Sequence, residues 1–258
     1  MGSDGTVSAN KNSIKIIGET TKKYIQGYFE YDSKKSGGLT ISHLRVSNTL
    51  ILSNYSVDNA NFIAIHNYTY VHKYDVLEGL KDNGVVLLNT SLNEDQLAKD
   101  LPENFKKHLK RTKASLYIIP AMKVAKEAGL KNKINTILQA CFFKISKIID
   151  YSIALKQMKE FAVKTYSKKG DASIISNMKA IDDAINNLTK VDVKKIINTK
   201  SVKKNTKEIV DKYFREFISL VQQRKGNNLP VSCFNADGSI PTGTAKFEKR
   251  NIAQAIPK

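Results

Sequence analysis

The spacing of apolar residues changes period several times along the chain. Ile14 and Ile17 recur at helical spacing, which predicts an amphipathic helix from Asn12 to about Lys23. Gln26 to Tyr31 then reads as an aromatic strand, and Leu39 to Val46 as a second extended stretch. Ile51 to Tyr55 is short and loop-like. Asn61 to His66 and Val85 to Asn89 are short apolar runs of the kind carried by parallel strands covered on both faces, and Ser115 to Ile119 is another strand. Between them the pattern predicts a helical turn over Asp75 to Lys81, broken by Asn83-Gly84, and one helix over Asn93 to Lys110 with leucines and Phe105 on one face. Strands alternating with helical segments argue for an α/β fold with a doubly wound, mainly parallel, right-handed sheet and flanking helices.

From Ala121 the pattern is helical. Met122, Val124, Ala125 and Ala128 share a face that Gly129 ends, and Ile134, Ile137, Leu138, Cys141, Phe142 and Ile145 form the next, all read as core. Further helices are expected over Ile153 to Tyr166, Ala172 to Leu188 and Lys207 to Gln223. Lys190 to Lys204 is lysine-rich and weakly apolar, so it reads as a solvated connector or strand. Lys225 to Ala245, with Gly226, Pro230, Gly238, Pro241 and Gly243, reads as an extended linker tail without a core of its own.

A chain of 258 residues with 41% hydrophobic positions can bury one substantial core, with room for a small appendage. Forty-two Lys and Arg against 24 Asp and Glu leave a net charge of +18, which favours anionic partners: nucleic acid, a phosphorylated cofactor or an acidic protein. The lysines are spread over helix faces without an aromatic RNA-binding motif or zinc-finger spacing, which argues against nucleic acid. Cys141 and Cys233 are far apart, so the sequence provides neither a disulfide framework nor a CxxC site, and a reducing cytosol fits best. Gln139-Ala140-Cys141 is followed by Phe142-Phe143, which departs from the caspase string and makes Cys141 a buried small hydrophobe. No apolar run reaches the roughly 18 residues of a membrane span, and the N-terminus has no signal-peptide core, so a soluble cytoplasmic protein is expected. His43, His66, His72 and His108 lack metal-ligand spacing, with His66 read as a structural histidine, and Asp75 with Glu78 reads as a solvated face. No metal ligand and no catalytic residue is therefore assigned.

Two basic, small-residue segments carry the candidate chemistry. Gly5-Thr6-Val7-Ser8-Ala9-Asn10-Lys11 runs as a loop into the first helix, where small residues let the backbone approach a phosphate and helix-start N–H groups hold it. Asp32-Ser33-Lys34-Lys35-Ser36-Gly37-Gly38 follows the aromatic strand, at the strand end where open α/β sheets bind ligands. Together they suggest a polyphosphate site, with Lys11, Lys34 and Lys35 as point charges, Ser33 and Ser36 as hydroxyl donors, and Arg45 as a fork for a second phosphate. The first segment is neither a GxGxxG fingerprint nor a P-loop, and a solvated turn is the alternative.

The stretches GSDGTVSANKNSIKIIG, QGYFEYDSKKSGGLTISHLR and NFIAIHNYTYVHKYDVLEGLKDNGVVLLNT resemble the gamma-type domain of pyruvate:ferredoxin (flavodoxin) oxidoreductases, over almost the whole chain. The resemblance implies an enzyme that converts pyruvate and coenzyme A to acetyl-coenzyme A and carbon dioxide. Thiamine diphosphate and [4Fe-4S] clusters would lie in other domains, ferredoxin or flavodoxin would accept the electrons, and the parent would be a homodimer. Residues 1–224 would be the gamma-type domain, which holds coenzyme A and covers the active site. Residues 225–258, with Phe247-Glu248-Lys249-Arg250, would be a Glu-Lys-Arg linker module leading toward a ferredoxin-like domain that this chain does not include. The coenzyme A assignment falls on Gly5, Thr6, Ser8, Ala9, Asn10, Lys11, Ser33, Lys34, Lys35 and Ser36, with Arg45 added. Set against it are a basic module for nucleic acid or an acidic protein, and a purely structural interdomain domain.

The family loop commonly reads GTVGANK, and Ser8 stands where its second glycine does. A positive φ there would strain Ser8. The family also places a strand before this loop whereas this chain starts Met1-Gly2-Ser3, so the sheet is expected to lack a member and Gly5 to Lys11 to be poorly anchored.

Overall fold

The computed structural model describes residues 5–32, 38–167, 170–202 and 211–240. Helix α1 (Thr6–Thr20) leads into an antiparallel hairpin of β1 (Tyr24–Tyr31) and β2 (Thr40–Ser47), in register from Tyr24 opposite Ser47 to Tyr31 opposite Thr40. A separate four-stranded sheet follows in the order β3 (Ala60–Ile65), β4 (Leu80–Asn89), β5 (Ser115–Ile119), β6 (Thr189–Lys190). β3, β4 and β5 are parallel and β6 is antiparallel, so the sheet is mainly parallel, as expected. Its strands run in chain order, with no reversal among the described residues.

Helices cover both faces because β4 is apolar on both. Leu87 points into a core shared with Ile16 and Ile17 of α1, Ile137 and Phe143 of α6 (Asn135–Ser146), and residues of α5 (Ala121–Glu127), α7 (Tyr151–Tyr166) and α8 (Asp171–Asn186). Val86 and Leu88 point the other way, into a core with Leu97 of α3 (Glu94–Asp100), Leu109 of α4 (Glu103–Thr112) and Ile196 of α9 (Val193–Asn198). A strand covered twice needs no alternation of polar residues, which is why Val85 to Leu88 reads as a continuous apolar run.

Several boundaries differ from the sequence reading, each for a local reason. The helix expected from Asn12 starts at Thr6, so Thr6 to Lys11 is helix and not loop. The helix expected over Asn93 to Lys110 is two. Asn93 and Gln96 form a reciprocal cap at the start of α3, and Pro102 breaks the run because Leu101 before it adopts ψ 134°. Asp75 to Lys81 makes turns closed by Glu78 N–H to Asp75 O and Leu80 N–H to Leu77 O; the helix here, α2 (Tyr70–Lys73), is earlier. Asn83-Gly84 does not end an element but sits inside β4, where the register with β3 shifts and Asn83 takes φ 57°. Lys190 to Lys204 contains α9, capped by Asp192, with Ile196 fully buried. Buried Lys106 of α4 fastens the end of α9 by donating to the carbonyls of Ala98 (2.7 Å) and Thr199 (2.6 Å). Of the helix expected over Lys207 to Gln223, the described residues are helical from Lys212, with a π-helical turn at Phe214–Ile218 followed by α10 (Ser219–Gln222). Beyond it come two short 3-10 turns, with Val231 87% exposed. Phe247 to Arg250 lies outside the described residues.

Candidate functional site

The start of α1 is fixed by Gly5. Its φ of 73° favours glycine, and a Cβ there would stand 2.7 Å from the Cβ of Asn135 on α6, so no side chain fits. Gly5 gives no side-chain cap and the first turn carries no acidic residue. The first N–H groups of a helix have no intrahelical acceptor and carry the positive end of the macrodipole, so this terminus suits an anion. Thr6 and Val7 are half-buried, Ser8 and Lys11 are exposed, and Ala9 and Asn10 face the core. The buried Oδ1 of Asn10 has no hydrogen-bond donor. Ser8 lies inside the helix with no positive φ, so a serine is accommodated without the strain a glycine-only position would impose. The expectation that Gly5 to Lys11 is poorly anchored is likewise overturned, because Gly5 packs against Asn135 and Ala9 and Asn10 are buried.

α1 packs antiparallel to β1. The Lys11 ammonium lies 5.6 Å from the Phe29 ring centre. One turn on, Ile14 Cδ1 fills the space above Gly27 that a Cβ would need, and Gly18 meets Ile25. The start of the helix therefore lies beside the end of β1, where Asp32 N–H bonds Leu39 O at 3.0 Å. This is the end from which Ser33, Lys34, Lys35 and Ser36 depart, and those residues lie outside the described residues. The strand end belongs to the hairpin and not to the parallel sheet, which corrects the expectation of a site on that sheet's edge. There Asn89 spends both ends of its amide on backbone, donating to His66 O (2.8 Å) and accepting from Ala121 N–H (3.1 Å).

Arg45 does not converge with this set. Ile25, Leu44 and Val46 face α1, which puts Arg45 and its neighbour Gln26 on the opposite face of the hairpin. Its guanidinium donates to Gln26 Oε1 (3.0 Å), Ser53 O (3.3 Å) and Tyr55 O (3.1 Å) and stacks on Tyr55 at 4.2 Å. Those bonds staple the loop after β2, and they leave the fork engaged with carbonyls instead of open to a phosphate.

On that outer face is a network the sequence reading did not include. Val57 N–H donates to His43 Nδ1 (3.1 Å), so His43 Nε2 carries the proton and donates to Glu30 Oε1 (2.7 Å). Arg224 pairs with the other Glu30 oxygen and ties the C-terminal segment to the hairpin. Burial pushes the Glu30 carboxyl up, but the hydrogen bonds from Arg224 and His43 outweigh it and hold it below the usual carboxylate range. Nearby, Tyr70 Oη donates to Gly38 O (3.2 Å), and burial, followed by the Asp32 charge, raises the Tyr74 phenol. Tyr74 also borders a cavity of about 350 Å³ whose other walls include Asn104, Phe105, Gln223 and Lys225. No local signal marks this network: Arg224 and Glu30 are 194 residues apart.

A family model described as pyruvate ferredoxin/flavodoxin oxidoreductase matches residues 1–187, and one described as a domain of unknown function matches residues 199–253. The pyruvate:ferredoxin oxidoreductase of Moorella thermoacetica is 44% identical over 263 residues, covering 100% of this chain and 22% of that protein. The pyruvate-flavodoxin oxidoreductase of Trichormus variabilis is 40% identical over 262 residues with the same coverage. The chain thus spans about a fifth of the length of these curated relatives. Among solved structures, the pyruvate oxidoreductase subunit PORC of Thermotoga maritima superposes with a TM-score of 0.56 at 17% identity, covering 74% of this chain and 93% of that one. The 2-oxoglutarate:ferredoxin oxidoreductase of Magnetococcus marinus, solved with 2-oxoglutarate, coenzyme A and succinyl-CoA bound, gives 0.52 at 16% identity, covering 72% and 29%. At these identities the likeness is one of fold.

Proposed function

The chain belongs to the pyruvate ferredoxin/flavodoxin oxidoreductase family, and from that premise we propose that it is the part of such an enzyme that holds coenzyme A and closes over the active site. The observation that carries the reading is the antiparallel seating of α1 on β1. It brings the uncapped helix start and Lys11 to the hairpin end that continues into Ser33, Lys34, Lys35 and Ser36. Coenzyme A has a pyrophosphate, a 3′-phosphate and a long arm. The first-turn N–H groups of α1 suit one phosphate. Lys11, Lys34 and Lys35 supply charge for the other. Arg45 is left out, because its donors hold the neighbouring loop.

The other cofactors of the reading belong to the remainder of the longer enzyme. A [4Fe-4S] cluster takes about four cysteine thiolates, and this chain has Cys141 and Cys233. Thiamine diphosphate, when bound there, supplies the carbanion chemistry on the 2-oxoacid. This chain's share is to present the coenzyme A thiol to the acyl group and to exclude water while it does so. Ferredoxin or flavodoxin as acceptor, a homodimeric parent and a cytoplasmic location complete the proposal. Among the described residues no helix is long and apolar enough to cross a membrane.

Calorimetry with coenzyme A and with dephospho-coenzyme A tests the site. Loss of the 3′-phosphate removes charge-assisted bonds, so affinity is expected to fall by about 10-fold or more. Replacing Lys34 and Lys35 with Ala should erase that difference. Equal affinity for the two ligands, or a difference that survives the double substitution, overturns the assignment.

A further inference from the structure

We propose that the chain carries a second anion site, at the far end of α6, for a small organic anion with an apolar body. Asn135 at the start of α6 touches Gly5, whereas this cavity adjoins Lys144 and Lys147 at the other end, about 15 Å away by the rise of a 12-residue helix. Its volume is about 320 Å³, within the range of small-ligand pockets. Tyr117 of β5, Ile185 of α8 and Leu188 form apolar walls. Lys144, Lys147 and Lys190 stand around them, and no acidic residue lines the space.

The character of this cavity comes from three lysines lining one space with no acidic residue among them. A few lysines of the structure pair with carboxylates, as in Lys159–Asp182, Lys195–Asp95 and Lys123–Glu127. Among the described residues Lys144, Lys147 and Lys190 have no such partner. Two are instead placed by aromatic rings: the Lys144 ammonium lies 4.9 Å from the Tyr151 ring centre, and that of Lys190 lies 6.0 Å from Tyr117. Lys147 is held at the end of α6 with φ 52°. Three like charges around one mouth repel one another, and an anion seated between them relieves that repulsion, while its apolar body removes the walls from water. Concavity and apolar walls favour a small amphiphilic anion, an alkyl or aryl phosphate or carboxylate, over an acidic protein surface, which needs neither.

Hexyl phosphate is a suitable probe, titrated calorimetrically into the full chain beside hexanol, inorganic phosphate and a polyglutamate peptide. One saturable site is expected for hexyl phosphate, with affinity at least 10-fold above that for each of the other three. Lys144→Gln with Lys190→Gln, both exposed positions, should weaken hexyl phosphate at least 10-fold while circular dichroism shows an unchanged fold. Lys11→Ala should leave it unaltered, which separates this site from the proposed coenzyme A site. No saturable binding, equal binding to the double variant, inorganic phosphate as tight as the ester, or the peptide as the tightest ligand would each overturn the proposal.

Discussion

Cys141 and Cys233 carry the same functional group and should behave oppositely. Cys141 is fully buried on α6, its Sγ 4.0 Å from Ala184 O, and burial pushes its thiol up to about 12, whereas Cys233 is half-exposed. The thiolate is the reactive form. Ellman's reagent is therefore expected to titrate one thiol in the native protein and the second only in denaturant; two fast thiols in buffer would contradict the packing of α6. Glu30 gives a second prediction at this scale. Its folded pKa is lowered, so the stability it gains from Arg224 is present above its unfolded value and lost as pH falls through the folded one. Arg224→Ala should cost about 0.2–1 kcal/mol at neutral pH, the range of exposed pairs, and less at a pH acid enough to protonate Glu30 in the folded protein. Urea unfolding at both pH values reads the difference. The burial of Cys141 was legible from its place in the Ile137, Leu138, Cys141, Phe142 pattern. The Glu30 pair was not, since only the folded chain brings its members together.

At the scale of elements, strands were read more closely than helix ends. Ser115 to Ile119 was bounded to the residue because Pro120 and an apolar run leave little choice, and the split at Pro102 was also written in the sequence, in the bar a proline sets on the residue before it. The start of α1 was not. Gly5-Thr6-Val7-Ser8 contains weak helix formers, and what makes it helical is tertiary: contact with Asn135 and burial of Ala9 and Asn10. Ser8 distinguishes loop from helix. In a left-handed loop, Ser8→Gly would relieve strain and stabilise. In the exposed first turns of a helix it should destabilise by about 0.5 kcal/mol. A rise in the urea midpoint of Ser8→Gly would show that the helix starts later than Thr6.

For the whole molecule, composition points to anions without naming one, because +18 is a sum over the surface and the proposed binding depends on where a few of those charges meet. The mainly parallel sheet was legible, while its separation from the hairpin was not: β1 and β2 look like any other strands until the chain pairs them with each other. The same net charge ties stability and binding to ionic strength in opposite directions. Self-repulsion among lysines opposes the compact state, and salt screens it over about 10 Å at 0.1 M, so unfolding should shift upward as salt is added. Attraction between the α1 start, Lys11 and a polyanionic ligand is screened by the same ions, so coenzyme A affinity should fall over that interval. Melting temperature and calorimetric Kd, measured across about 0.05–0.5 M sodium chloride, should therefore move apart. Affinity that did not change with salt would mean that the ligand is held by its apolar and hydrogen-bonding parts, and the phosphate-centred reading of the helix start would fail even if coenzyme A bound.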